Sequence, residues 1–174
     1  MMNESTASTA RDARPIRKAF KPLVSSVIME NDHVLLVREG SGKDRGRWNL
    51  PGGSVDPGED LVTAAVRETV EECGFEVRPS GVSGVYTYTG SAGRNCVRFV
   101  FPATIVDGDP RFDGREIIDV RWFDFDEALA MPDEMLWKPA VLRRILTDAR
   151  RGVCYPLELI RNFRLARTAD RKAA

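Results

Sequence analysis

Residues 53–75 hold six acidic side chains, Asp56, Glu59, Asp60, Glu68, Glu71 and Glu72, and one basic side chain, Arg67, in a chain whose formal net charge is zero. Within this stretch Val62, Ala65, Val66, Thr69 and Cys73 recur at intervals of three, four and seven, which predicts a helix over 60–73 with one buried face. At about 100° per residue, Glu68, Glu71 and Glu72 then fall within roughly 100° of one another on the opposite face. A solvated helix surface pairs such acids with bases four residues away. Here position 64 is alanine, 75 is phenylalanine and 76 is another glutamate, while Glu68 meets Glu71 at i+3 and Glu72 at i+4. Each like-charge pair costs on the order of 0.2–0.5 kcal/mol, and the partial negative charge of a helix C-terminus adds to the repulsion.

A hard divalent cation reverses that balance. Mg²⁺ or Mn²⁺ takes oxygen ligands and turns the repulsion into coordination, whereas zinc favours cysteine and histidine, which this acidic face lacks. The turn at 51–53, Pro-Gly-Gly, lets backbone approach a ligand closely, so a carbonyl can join the ligand set. Magnesium commonly keeps waters and binds substrate phosphates. The chemistry expected is therefore attack of water at phosphorus, assisted by a metal that neutralises phosphate charge and lowers the pKa of bound water.

The elements that must hold this helix and turn are legible on either side. Order is expected to begin near Phe20, after a polar, aperiodic stretch. Segments 23–30 and 33–39 read as a hairpin, with the turn at 31–33 containing His33, to which no catalytic role is assigned. A glycine-rich loop follows over 40–47, from which Lys43, Arg45 and Arg47 can reach phosphate oxygens. Trp48 is expected to pack beside the 51–53 turn. Gly74 stands where a left-handed helix cap belongs. Strand-like runs come next at 74–80, 84–90 and 96–106, the last long and apolar enough to be central. On the second of these Tyr86 and Tyr88 point the same way and can stack on a base or pyrimidine ring. A loop over 107–116 leads to a strand over 117–125 and a helix start at 126–131. A last helix carries Leu136, Ala140, Leu142 and Ile145, with Pro139 marking a late first turn and Gly152 after its end. Strands joined by hairpins and a crossover, flanked by two helices, predict a mixed sheet in a layered α/β arrangement.

At 174 residues the chain fits one domain, and 43% hydrophobic with 30% charged residues excludes a wholly disordered or collagen-like polymer. No apolar run reaches the roughly 18 residues of a membrane helix, nor does the N-terminus hold a secretory apolar segment, so a cytoplasmic protein without membrane association is expected. Cys73, Cys96 and Cys154 form no CxxC pair and read as reduced thiols rather than a disulfide framework or a zinc site. Five basic and two acidic residues fall in 1–22, and five and one in 161–174. Both tails are short, and nucleic-acid binding is not expected of them.

Gly53, Glu59, Arg67, Glu68, Glu71, Glu72, Gly74 and Phe75 stand at the spacing of the box G-x5-E-x7-R-E-U-x-E-E-x-G-U, U being a bulky apolar residue. The chain thereby resembles the Nudix (MutT/Nudix) hydrolases, departing only at Thr69, which replaces an aliphatic residue. Residues 121–131 are similar to the strand and helix that follow in many members, and 152–163 to the tail of the NudJ-type phosphatases, which act on thiamine and hydroxymethylpyrimidine diphosphates and on nucleotides. The resemblance implies a Nudix-type α/β/α sandwich over 20–163, between disordered tails at 1–19 and 164–174. It implies hydrolysis of a small-molecule phosphate anhydride: a nucleoside di- or triphosphate or a thiamine or pyrimidine diphosphate. An ADP-ribose or nucleotide-sugar pyrophosphatase and a non-catalytic nucleotide sensor are the alternatives. By the same resemblance Glu68, Glu71, Glu72 and the Gly53 carbonyl ligate Mg²⁺ or Mn²⁺, one of the three glutamates, with Glu68 the first candidate, helps to deprotonate water, and Glu59 pairs with Arg67 to hold the loop against the helix. A later loop supplies a further carboxylate in several members. Glu116, six residues before Trp122, is the candidate here, with Asp113 and Asp119 behind it; Arg47, Tyr86 and Tyr88 are candidates for the substrate side. Monomer and homodimer both remain open.

Overall fold

The computed structural model describes residues 20–90 and 93–163; the tails expected at 1–19 and 164–174 lie outside the described residues. β1 (Lys21–Glu30) and β2 (His33–Glu39) form the first hairpin. Asn31 and Asp32 turn it at φ 48° and 60°, a left-handed conformation that these two residue types tolerate and that matches the twist of the strands. His33 is the first residue of β2 rather than part of the turn.

Beyond the pairs Met29 with Val34 and Glu30 with His33, the two strands diverge. β2 pairs with β3 (Trp48–Asn49) and β7 (Ile117–Asp124), while β1 runs parallel to β6 (Asn95–Gly108) from Lys21 opposite Cys96 to Ile28 opposite Ala103. The chain after β3 fills the opening. The Ser26 N–H donates to the Pro51 carbonyl (3.0 Å) and the Val24 N–H to the Gly53 carbonyl (2.9 Å), which fastens the glycine turn to β1. β4 (Phe75–Pro79) and β5 (Gly84–Thr89) lie antiparallel along successive halves of β6, so β6 is central as its sequence predicts. The result is one mixed seven-stranded sheet.

Alternation along the strands directs side chains to two faces. Val24, Ile28, Leu35 and Val37 meet α1 (Leu61–Cys73), whereas Val27, Val34 and Leu36 meet α2 (Phe125–Ala130) and α3 (Pro139–Arg150). This is the α/β/α sandwich. α1 starts where the Asp60 carboxylate accepts the Thr63 N–H (2.9 Å) and stops at Gly74, φ 79°, where a Cβ would collide with the Asp109 carbonyl. Its most buried residues are Ala64, Ala65, Thr69 and Cys73, with Val62 and Val66 at the edges of the contact. Thr69 is fully buried, and its hydroxyl bonds the Ser26 hydroxyl of β1 (2.8 Å) and the Ala65 carbonyl (2.7 Å).

The sequence reading is corrected at Phe125, Leu136 and Ala140. Asp124 ends β7 because its carboxylate caps α2, accepting the Asp126 and Glu127 N–H groups, so Phe125 is helical. Leu136 is fully buried but precedes α3, bridging to Trp48 in extended form. Ala140 faces solvent. After α3 the chain returns across the molecule: Tyr155 bridges to Val82, and Leu157 and Ile160 pack on the cluster around Val24 and Ala64. All three cysteines are free, and among the described residues no helix is long and apolar enough to cross a membrane.

Candidate active site

The acidic face of α1 lies against the glycine turn. The Gly52 N–H donates to Glu72 Oε2 (2.8 Å), and a Cβ at Gly53 would collide with the Glu68 carboxylate. Gly52 itself sits at φ 146° with the Val24 carbonyl where a side chain would go, so it is required by the close approach of turn and β1, whereas a side chain at Gly53 would displace the Glu68 carboxylate. The Gly53 carbonyl already accepts the Val24 N–H, leaving its second lone pair for a ligand.

Arg67 organises the opposite side. Its Nε and Nη2 each donate to Glu59 at 2.8 Å, and Nη2 also reaches the Ser54 carbonyl (3.1 Å), tying the loop that carries Glu59 to the helix. Its Nη1 donates to Glu68 (2.9 Å) and Glu71 (3.2 Å). The reading that no base stands four residues from the glutamates therefore holds for Glu68 and Glu72 and is corrected for Glu71, whose partner Arg67 lies on its N-terminal side at i−4. Among the described residues no three acidic, histidine or cysteine side chains converge as a ready-made metal cage. The donors assembled here are all oxygen, which is the chemistry that a hard divalent cation takes.

Burial of like charges shapes the electrostatics. Desolvation pushes the Glu72 carboxyl well above the usual carboxylate range, against the Gly52 hydrogen bond, and Glu39, Glu68 and Glu116 push it further. Desolvation likewise raises Glu68, with Arg67 opposing and Glu71 and Glu116 adding. The Arg67 pair draws Glu59 below its ordinary value. Glu39 was not singled out from sequence; burial raises its carboxyl too, and it accepts a hydrogen bond from Asn49 (2.8 Å). A lone acid ending an apolar strand just before a glycine-rich loop was the available signal.

Glu116 stands on the loop before β7, close enough to perturb Glu39, Glu68 and Glu72. The alternatives are engaged elsewhere. Asp113 accepts the backbone N–H groups of Arg115, Glu116 and Ile117, and Asp119 pairs with Arg121 (2.8 Å).

Beside the carboxylates opens a cleft of about 370 Å³. Glu39, Asn49 and the two glycines line it together with Tyr88, Arg98, Trp137 and Lys138, and Lys43 also contributes. Arg47 does not line it. Tyr86 does not either: its hydroxyl donates to Asp148 (3.0 Å) and its ring packs against the α3 side of the core.

A NUDIX domain model matches residues 20–145. The chain belongs to the Nudix hydrolase family. Phosphatase NudJ of Escherichia coli O1:K1 / APEC is 30% identical over 146 residues, covering 83% of this chain and 94% of NudJ. The 8-oxo-dGDP phosphatase NUDT18 of Homo sapiens is 38% identical over 94 residues, covering 53% of this chain. The chain spans 28% of the length of NUDT18 and 60% of that of a Bacillus subtilis relative. Among solved structures, a NUDIX hydrolase from Nitrosomonas europaea superposes with a TM-score of 0.76 at 31% identity, covering 83% of this chain and 98% of that one.

Proposed function

We propose that the protein is a divalent-metal-dependent phosphohydrolase that cleaves a nucleoside di- or triphosphate, or a thiamine or pyrimidine diphosphate, by attack of water at phosphorus. The observation that carries this reading is the acidic face of α1 set against the glycine turn, where Glu72 accepts the Gly52 N–H (2.8 Å) and the Glu68 carboxylate abuts Gly53, beside a cleft that both glycines line. Glu68, Glu71 and Glu72, with a carbonyl of the turn such as that of Gly53, would hold Mg²⁺ or Mn²⁺. Bound there, the ion would neutralise phosphate charge and acidify a water. Glu68, raised by burial, is suited to accept the proton of the attacking water, and Glu116 faces the same carboxylates from the opposite loop. Glu59 fixes Arg67, and through it the angle at which Glu68 and Glu71 are presented. The likeness to NudJ over most of both chains supports a phosphatase of small diphosphates, and the likeness to NUDT18 supports nucleotides among them.

The test is phosphate release, with and without added pyrophosphatase, from thiamine diphosphate, hydroxymethylpyrimidine diphosphate, nucleoside di- and triphosphates and ADP-ribose in Mg²⁺. Direct release of phosphate from the thiamine, pyrimidine or nucleotide compounds is expected. Turnover of ADP-ribose alone would replace this reading with a pyrophosphatase, and binding without turnover in Mg²⁺ or Mn²⁺ with a nucleotide sensor.

A further inference from the structure

The deep wall of the cleft holds a cation that the hydrolytic chemistry does not use. Arg98, near the start of β6, is only 3% exposed, and among the described residues it makes no ion pair. Its Nη1 donates to the neutral Asn49 side chain (3.2 Å), its guanidinium lies 4.2 Å from the centre of the Trp137 ring, and its Nε has no partner. The Tyr88 hydroxyl, also lining the cleft, is buried too and meets no partner beyond a weak contact with Arg98 itself. A guanidinium withdrawn from water costs several kcal/mol unless an anion answers it.

The surroundings add positive charge. Lys138 places its ammonium 5.3 Å from the Tyr88 ring and 5.7 Å from the Trp137 ring. Five basic side chains line the cleft (Lys21, Lys43, Arg94, Arg98 and Lys138) against the two acids Glu39 and Asp44. A stacked base finds no platform there: Arg98 covers Trp137, which is 8% exposed, and Lys138 stands over Tyr88.

We propose that Arg98, with Lys138 and Tyr88, forms an anion subsite that holds a phosphate of the substrate other than the one attacked. The substrate would then enter phosphates first, with its organic part toward the rim, and selection would rest on the phosphate chain more than on a ring. The inference rests on the neighbouring carboxylates being the place of hydrolysis, but its test does not depend on turnover.

Binding of inorganic phosphate and of pyrophosphate is measured by calorimetry on the full chain without divalent metal, in wild type, Arg98→Gln and Lys138→Gln. Wild type binds with a change in tryptophan fluorescence, R98Q weakens binding by about ten- to hundredfold, and K138Q weakens it less. In turnover assays R98Q raises KM by more than it lowers kcat, a split that a merely structural arginine would not produce. Unchanged affinity in R98Q overturns the subsite whether or not the protein hydrolyses anhydrides. Retained phosphate binding that R98Q removes, in a protein inert toward every anhydride, upholds the subsite and removes the hydrolase reading instead. Should R98Q fail to fold, unchanged affinity in K138Q overturns the proposal.

Discussion

Arg67 and Glu72 carry opposite duties at the helix face. Arg67 spreads one guanidinium over Glu59, Glu68 and Glu71, yet its pair with Glu71, whose side chain is 58% exposed, is a surface contact worth only about 0.3–0.5 kcal/mol. A metal competing for Glu71 therefore displaces little. The bidentate contact with Glu59 is different, because Glu59 is largely buried and also accepts the Asp56 N–H (3.1 Å). Glu59→Gln is expected to lower activity or metal affinity by roughly 10–100-fold while leaving the protein folded, since it loosens the residue that orients two proposed ligands rather than a proposed ligand itself. Circular dichroism and metal titration on one sample check this, and wild-type metal affinity in the variant would contradict it. Glu72 is held by a single backbone N–H, and burial with the like charges of Glu39, Glu68 and Glu116 works against its ionised form. Glu72→Gln keeps that hydrogen-bond acceptor and removes the charge, so hydrolysis is expected to fall by about a hundredfold or more without loss of fold.

At the level of the elements, the junction of α1 with β1 departs most from the family pattern. Thr69 replaces an aliphatic residue, and Ser26 across from it supplies the matching hydroxyl. Thr69→Val leaves Ser26 with only the longer 3.4 Å bond to the Ala65 carbonyl, and is expected to cost about 1–2 kcal/mol in denaturant unfolding. Ser26→Ala with Thr69→Val together should cost less than the sum of the two single changes, since the double variant leaves neither hydroxyl unsatisfied. Strict additivity would contradict this account. The periodicity of α1 placed both its ends within one residue, because apolar spacing, an Asp60 cap and Gly74 all point the same way. What the sequence concealed depended on contacts between distant segments. β3 is two residues long and pairs with β2 where β2 has left β1; Leu136 is buried from an extended segment bridged to Trp48 rather than from a helix. Tyr86 and Tyr88 share a strand face, yet only Tyr88 reaches the cleft, because α3 brings Asp148 to Tyr86. Glu39 and Arg98 read as ordinary strand residues until the sheet brings them to one cleft.

For the molecule as a whole, the site concentrates carboxyls whose protons bind more tightly in the folded chain than in the unfolded one. Raised values for Glu39, Glu68 and Glu72 mean that, without metal, these groups erode stability as pH climbs above about 4.3, the ordinary glutamate value, through their folded values. Glu72→Gln removes one such group. Its melting temperature in a chelator is therefore expected to exceed that of wild type near neutral pH, with the gap closing as pH falls toward 4; a gap that widens on acidification would contradict the sign. Added Mg²⁺ should stabilise wild type and do little for the variant. The most direct test of the central claim combines two readouts on wild type, Glu71→Gln and Glu72→Gln: Mn²⁺ binding by electron paramagnetic resonance, and phosphate release from the best substrate in Mg²⁺. Loss of both in folded variants is predicted; near-normal Mn²⁺ binding and turnover in both variants would contradict the assignment of this helix face as the metal site.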